Sequence, residues 1–247
     1  MPRPSSKKRP SSKTASSKAG LPHRWDLSID EARHLQEALA AHIVETDDYG
    51  PVHFVAGADI SFDKASPTLF AAVVVWDVKT RRVVEISGVE KETTFPYIPG
   101  YLSFREIPPL LEAFKRLEVT PDLIVCDGQG RAHPRRFGIA CHLGLWLNIP
   151  SIGCGKTRLI GEHREPGPKR GSFTQLRDKG ELIGEVVRTR DKVKPLYVSV
   201  GHRVSQVAAR RWILKLARTY RQPEVIRAAH NEVNRMRRAS HKEEETH

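Results

Sequence analysis

Two aspartates follow apolar segments of the chain, and this position indicates metal-binding chemistry. Asp59 lies in the segment 55–61, and Asp127 directly follows the apolar residues 123–126. Each segment is typical of a buried strand. An ionised carboxylate there is costly unless a cation or several donors compensate it, and paired carboxylates suit Mg²⁺ or Mn²⁺. The alternative for each aspartate alone is a hydrogen bond to a turn, since Asp-Gly is a common turn sequence.

Two further residues are candidates for the same site. Glu106 stands four residues before Leu110 and continues the apolar stripe of a predicted helix toward its N-terminus. A carboxylate there either caps the helix or, beside Asp59 and Asp127, completes a carboxylate cluster. His202 follows a predicted strand and is either a fourth ligand or proton carrier, or an ordinary surface histidine.

A lysine follows another predicted strand, in the sequence GCGKT at 153–157. These residues resemble the end of a Walker A motif, but the full pattern requires glycine at position 150, where the chain has Pro150. An NTP-hydrolysing P-loop is therefore excluded. Two interpretations of Lys156 remain: it neutralises a phosphate beside the site, or it belongs to an ordinary basic loop.

The segment 95–101, FPYIPGY, predicts a stiff aromatic loop. Its two prolines fix φ and remove hydrogen-bond donors. Tyr97 on such a loop could insert into a stack of bases, as rigid wedges do. The alternative is an ordinary apolar connection packed on the core.

The charge of the chain favours a polyanionic partner, and nucleic acid is the partner that it indicates. The formal net charge is +12 over 247 residues. Residues 1–20 are rich in Ser, Lys, Arg and Pro, so we predict a disordered basic arm there. Residues 21–247 are long enough for a single domain with a substantial core. The alternative is an ordinary soluble surface with a basic tail.

The sequence predicts neither a membrane span nor a secretion signal. The longest apolar run, 69–76, has eight residues, far short of the ~20 that a spanning helix needs. The arm lacks the apolar region of a signal peptide and the apolar stripe of a transit peptide. Cys126, Cys141 and Cys154 stand in apolar stretches, as buried thiols of a reducing compartment do. We therefore expect a cytoplasmic protein with no membrane partner.

The apolar periodicity predicts one α/β domain with a mixed sheet, in which an antiparallel three-stranded meander is extended by parallel strands and flanked by helices. Ligands of such sheets gather at the carboxyl ends of the parallel strands, where Asp127 is expected. Pro108 and Pro109 are expected near the first turn of their helix, and His133-Pro134 is expected to open the next one. The predicted strands are 52–62, 69–78, 82–91, 122–127, 150–154, 181–188 and 196–200, and the predicted helices are 28–44, within 101–117, 133–147, 205–220 and 223–238.

Five groups of segments together resemble the endonuclease V family of deoxyinosine-directed nucleases. They occur in family order over roughly residues 25–220, and as a set they are highly specific. The chain differs from the usual family pattern at Gln129 and Arg131, and at Gly155, where alanine is usual. The matching segments are GADIS at 57–61, PYIPG at 96–100 with FRE at 104–106, DG at 127–128 with HPR at 133–135, GK at 155–156, and GHR at 201–203.

The resemblance implies an RNase H-like fold and a set of site residues. Asp59, Glu106, Asp127 and His202 would surround Mg²⁺, with Mn²⁺ as a substitute. Lys156 would lie beside the scissile phosphate, and Tyr97 would be the wedge. The pocket for a flipped hypoxanthine would be formed by Pro99, Gly100, Leu102, Gly128, His133 and Gly138.

The expected activity is metal-dependent cleavage of DNA that contains deoxyinosine, in DNA repair. The resemblance implies a cut at the second phosphodiester bond 3′ to the inosine, which leaves 3′-hydroxyl and 5′-phosphate ends. Two alternatives remain: an endoribonuclease specific for inosine, and a non-catalytic nucleic-acid-binding module on the same fold. We expect a monomer.

Overall fold

A computed structural model of the chain describes residues 22–63 and 66–244, so the predicted arm at 1–20 lies outside the described residues. One sheet of eight strands forms its centre, in the order β3-β2-β1-β4-β5-β8-β7-β6. The strands are β1 Phe54–Phe62, β2 Thr68–Asp77, β3 Arg82–Glu92, β4 Leu123–Cys126, β5 Ser151–Gly155, β6 Phe173–Asp178, β7 Glu181–Val187 and β8 Leu196–His202. The helices are α1 Ile29–Ala40, α2 Leu102–Lys115, α3 Ile139–Leu147, α4 Gln206–Leu216 and α5 Glu224–Glu244.

The predicted mixed sheet is confirmed. Strands β1, β2 and β3 form the antiparallel meander, and β4 and β5 continue from β1 as parallel strands. The other half is antiparallel, because β8 pairs with β5 and β7 in opposite directions. Strand β6 was not predicted, since it carries Thr, Gln, Arg and Asp and buries only Leu176 fully.

Helices cover both faces of the sheet, and alternate residues of the strands face them. Val55 packs with α4 and α5 on one face, while Ala56 and Ala58 pack with α2 and α3 on the other. Asp59 follows Val55 and Gly57 at a spacing of two, so its side chain is on the face of α5. Within the described residues, no helix has the length and apolar character needed to cross a membrane.

Local signals positioned the start of the first helix accurately, although the helix ends at Ala40 and not at residue 44. Ser28 is its N-cap, and its side chain accepts a hydrogen bond from the Glu31 N–H at 3.3 Å. The Glu31 carboxylate accepts one from the Ser28 N–H at 2.8 Å, which completes a capping box. The three cysteines are free and buried, as predicted.

Two predictions about proline were wrong. Pro108 and Pro109 lie inside α2, in its second turn, where they remove donors from the helix. The helix persists there because it buries an apolar face, including Ile107 and Leu110, against the sheet. Helix α3 begins at Ile139 with Gly138 as its N-cap, not at His133-Pro134. Arg136, with φ of 56°, is in the left-handed region and breaks any helix that begins earlier.

Candidate active site

Neighbouring parallel strands bring the two predicted aspartates together. Ala58 of β1 is level with Cys126 of β4, and Asp59 and Asp127 are the next residues along. The Asp127 N–H donates to the Ala58 carbonyl at 3.1 Å, which continues the pairing as far as the aspartates. Both carboxylates therefore lie at the same edge of the sheet, where the sequence predicted them.

Helix α5 adds a histidine to this pair. His230 Nδ1 lies 2.8 Å from Asp59 Oδ2. One ligand atom each of Asp59, Asp127 and His230 falls within 4.8 Å of the others. Two carboxylate oxygens and an imidazole nitrogen at this spacing fit a divalent cation such as Mg²⁺ or Mn²⁺.

A close contact between α5 and β1 makes this arrangement possible. A Cβ at Gly57 would stand 2.4 Å from the Val225 carbonyl oxygen, so only glycine lets the helix approach the strand. Five residues farther along α5, His230 meets Asp59, two residues farther along β1. The sequence signal for His230 was its spacing from Ile226 and Val233, which are buried on the same face of the helix.

The surroundings of Asp59 and Glu106 oppose the ionised state of these two carboxyl groups. Burial, and then the charge of Asp127, raises the pKa of Asp59 to about 6, while His230 and Lys156 act in the opposite direction. Glu106 from α2 lies near both aspartates, and burial, followed by the charge of Asp59, raises its pKa to about 8. A divalent cation would reverse this cost, because it favours the charged form of every carboxylate around it.

Lys156 is also at this edge. It directly follows β5, which is parallel to β4, and its Nζ lies 2.5 Å from Asp127 Oδ2. The ammonium group therefore stands beside the carboxylates, where it can neutralise a phosphate oxygen.

The expectation that His202 joins the metal ligands is wrong. His202 pairs with Ser151 at the start of β5, because β8 is antiparallel to β5. It is therefore near the amino end of the parallel strands, away from Asp127. His202 is buried and accepts a hydrogen bond from the Val44 N–H at 3.4 Å. Burial, and then the charge of Arg203, lowers its pKa to about 4.

A pocket of about 370 Å³ opens beside the carboxylates and shares Glu106 and Asp127 with them. All seven residues predicted to bind a base or its stack line this pocket: Tyr97, Pro99, Gly100, Leu102, Gly128, His133 and Gly138. Sequence reasoning did not include its other lining residues, which are Ser103, Gln129, Ile139, Thr157, Arg158 and Leu159.

Close backbone contacts determine the shape of this pocket. A Cβ at Gly128 would stand 2.7 Å from the Ile139 side chain, and a Cβ at Gly138 would stand 2.3 Å from the Gln129 carbonyl oxygen. Either substitution would move the pocket wall. Gly155 allows the Gln129 side chain to fit, because a Cβ at 155 would stand 2.2 Å from its amide nitrogen.

The loop that carries Tyr97 is anchored at Gly100, whose φ of 86° favours glycine. The Gly100 carbonyl accepts hydrogen bonds from Arg135 at 2.6 Å and from Gln36 at 3.2 Å. His133 Nδ1 accepts from the Arg135 N–H, so its Nε2 is the donor to Gly100 at 3.0 Å. Burial, and then the charge of Arg135, lowers the pKa of His133 to about 4, which keeps the ring neutral.

Tyr97 itself extends from this anchored loop into solvent. It is 60 % exposed, and its ring centroid lies 6.0 Å from that of Phe62, at the end of β1. An exposed ring on a fixed support at the rim of a pocket is available to stack against a base.

A mixed sheet flanked by helices, with carboxylates clustered where its parallel strands end, is typical of the RNase H-like class of nucleases. Within that class, the sequence profile of the Endonuclease V family matches residues 37–231. The chain belongs to this family and is an endonuclease.

Relatives agree with this assignment along most of the chain. Endonuclease V of Trichormus variabilis is 48% identical over 209 residues, which are 84% of this chain and 95% of that protein. The crystal structure of Endonuclease V from Streptomyces avermitilis has a TM-score of 0.84 and 39% identity, over 89% of this chain and 97% of that one. The crystal structure of Endonuclease V from Ciona intestinalis is a complex with a 24mer DNA containing an inosine followed by a ribo-adenosine. It has a TM-score of 0.75 and 27% identity, over 85% of this chain and 98% of that one.

Proposed function

We propose that this protein is a divalent-metal-dependent endonuclease that recognises deoxyinosine in DNA. It cleaves the second phosphodiester bond on the 3′ side of the inosine and leaves 3′-hydroxyl and 5′-phosphate ends. One observation carries the proposal: the base-sized pocket and the carboxylate cluster share Glu106 and Asp127. A base held in the pocket therefore places its own strand over the carboxylates. The complex of the Ciona relative with DNA containing an inosine supports the same choice of substrate.

Asp59, Asp127 and Glu106 would hold the cation, with His230 as a further ligand or as the partner that orients Asp59. When bound, a divalent cation activates water and stabilises the leaving 3′-oxygen. Lys156 would move from Asp127 to a non-bridging oxygen of the phosphate, and it would balance charge that develops there.

Recognition requires that the base leaves the stack, which costs a few kcal/mol and is cheapest at a mispair. Tyr97 would fill the gap in the stack, because its ring is exposed at the rim of the pocket. His133 keeps Gly100 in place as a neutral donor and so fixes the loop against which the base would rest. We further propose that the protein acts as a monomer in the cytoplasm.

Cleavage of matched strands tests the proposal. Duplexes that differ only in deoxyinosine or deoxyadenosine at one position would be compared with and without Mg²⁺, and then with EDTA. We expect a cut two phosphodiesters 3′ to deoxyinosine, with Mg²⁺ or Mn²⁺ only. Equal cleavage of the adenosine duplex, or cleavage in EDTA, would contradict the proposal. A matched strand with riboinosine at the same position would be tested in parallel. A preference for this riboinosine strand would favour the endoribonuclease, and binding without cleavage would favour a non-catalytic module.

A further inference from the structure

The outer face of α5 forms a shallow groove that begins at the carboxylate cluster. Its volume is about 600 Å³, and it is lined by His230, Asn231, Asn234, Arg235, Arg238 and Ala239. His230 therefore belongs both to this groove and to the cluster around Asp59. The family profile ends at residue 231, so most of the groove lies beyond the matched region. A ligand that leaves the carboxylates on this side would pass directly onto α5.

Basic and amide side chains at helical spacing line this groove. Arg235 is held by a bidentate pair with Glu232 at 2.9 and 2.6 Å. Asn234 donates to the His230 carbonyl at 2.8 Å and accepts from Arg237 at 3.2 Å. Arg238 is exposed, and its guanidinium makes no hydrogen bond or ion pair to the part of the chain that the structure describes. Arg238 is thus available to a negatively charged partner.

The course of α5 across the sheet gives the groove a direction. Val225 lies against Gly57 of β1, Val233 packs with Phe70 of β2, and Met236 lies against the backbone of β3. The helix therefore leads from the cluster toward β3, the outermost strand on this side of the sheet. The base pocket is on the opposite side of the cluster, because α2, which contributes Leu102 and Glu106 to the pocket, covers the face of the sheet opposite to α5.

We propose that the groove on α5 binds the phosphate backbone of the nucleic acid strand on the 3′ side of the cut, with Arg238 as a positioning residue. This inference rests on the proposed function: if the base is in the pocket and the cut is 3′ to it, the strand reaches α5 only after it has crossed the carboxylates. Arg238 is eight residues from His230, which is about 12 Å along a helix axis. Along a duplex that runs parallel to the helix, that length spans about three to four nucleotides, since each strand carries one phosphate per 3.4 Å or so of duplex axis.

Strands trimmed on one side of the inosine test this inference. Affinity would be titrated with Ca²⁺ in place of Mg²⁺ to suppress cutting, for a full-length strand, for one that ends one nucleotide 3′ to the cut, and for one shortened equally on the 5′ side. We expect Arg238→Ala to weaken binding of the full-length strand roughly two- to fivefold. The plot of log affinity against log salt concentration should become shallower by about 0.7–0.9 in slope. Arg238→Lys should restore most of the affinity.

Strand length is the decisive variable. Arg238→Ala should bind the 3′-trimmed strand as the wild type does, and it should keep its defect on the 5′-trimmed strand. Arg211→Ala, an exposed arginine of α4, is the matched control and should behave as wild type throughout. Equal binding by Arg238→Ala and wild type on the full-length strand, or a defect that follows the 5′ side, would overturn the inference. A wild-type enzyme that does not prefer inosine over adenosine would instead overturn the proposed function.

Discussion

At the scale of the residue, two histidines have the opposite roles from those that their sequence positions indicate. His202 resembled a family ligand but is buried near the amino end of β5, where it accepts from the Val44 backbone. His230 carried only a weak signal, yet it contacts Asp59. Which side chains can bind the metal depends on which atoms the fold brings close together, and the position of a residue within one strand does not predict this.

Substitution of the two histidines separates these roles. His230→Ala should lower the single-turnover rate of cleavage roughly 10–100-fold, as loss of a partner of a metal-binding carboxylate does. His202→Ala should instead lower the free energy of unfolding by about 1–3 kcal/mol, because it leaves the Val44 N–H unpaired. Rates would be measured well below the melting temperature of both variants. A larger loss of rate in His202→Ala than in His230→Ala would contradict the assignment.

The raised pKa of Glu106 predicts how pH affects stability without a cation. The pKa is 4.5 ordinarily and about 8 in the folded protein. Between these values the folded state holds a proton that the unfolded state has lost, so stability falls as pH rises through this window. Glu106→Gln has no titrating carboxyl at this position, so its stability should not fall with pH for this reason. In EDTA, its melting temperature relative to wild type should therefore rise from pH 5 to pH 8, and Mg²⁺ at pH 8 should reduce the difference. A difference that is constant with pH would refute this explanation.

At the scale of the element, the active site depends on how closely α5 lies on β1. Gly57 is the contact, and the helix would be displaced by any side chain there. The parallel pair β1 and β4 positions the aspartates, while α5 brings His230 from 171 residues away in the chain. Strand pairing and helix packing therefore supply different parts of one site.

Gly57→Ala tests this dependence. Its Cβ would meet the Val225 carbonyl at 2.4 Å, so overpacking should cost about 1–3 kcal/mol of unfolding free energy. Cleavage should fall as well, because displacement of α5 moves His230 away from Asp59. Gly50→Ala is the control, since no atom lies within 4 Å of a Cβ there. Unfolding by denaturant and single-turnover cleavage would be measured for both. Wild-type values for Gly57→Ala would show that α5 does not determine the site.

At the scale of the whole molecule, a basic chain contains a small cluster of carboxylates. The net charge is +12, whereas the carboxylates cluster at one edge of the sheet. A net positive charge favours association with a polyanion such as nucleic acid.

Deletion of residues 1–20 tests how the predicted arm contributes. The segment contains six cationic residues and no acid. Each phosphate that it neutralises should steepen the log–log salt dependence of duplex binding by about 0.9. The deletion should therefore flatten the slope, and single-turnover cleavage at saturation should not change. A chain with these six residues replaced by Gln should match the deletion. An unchanged slope would show that the arm does not contact nucleic acid.

The sequence by itself determined the features that depend on local pattern. Asp59 and Asp127 at the ends of apolar strands, the capping box of Ser28 and the stiff loop at Tyr97 all follow from residue type and spacing. The resemblance to endonuclease V added the pocket residues, which one cavity brings together. These features were accessible because strand period, helix caps and proline restraints act over a few residues.

The tertiary structure decided which distant segments meet. Whether His202 or His230 reaches the carboxylates depends on the antiparallel pairing of β8 with β5 and on the contact of α5 with Gly57. The prolines inside α2 persist because packing on the sheet outweighs local propensity. No short window of sequence predicts these contacts, because the free energy of each depends on residues that are far apart in the chain.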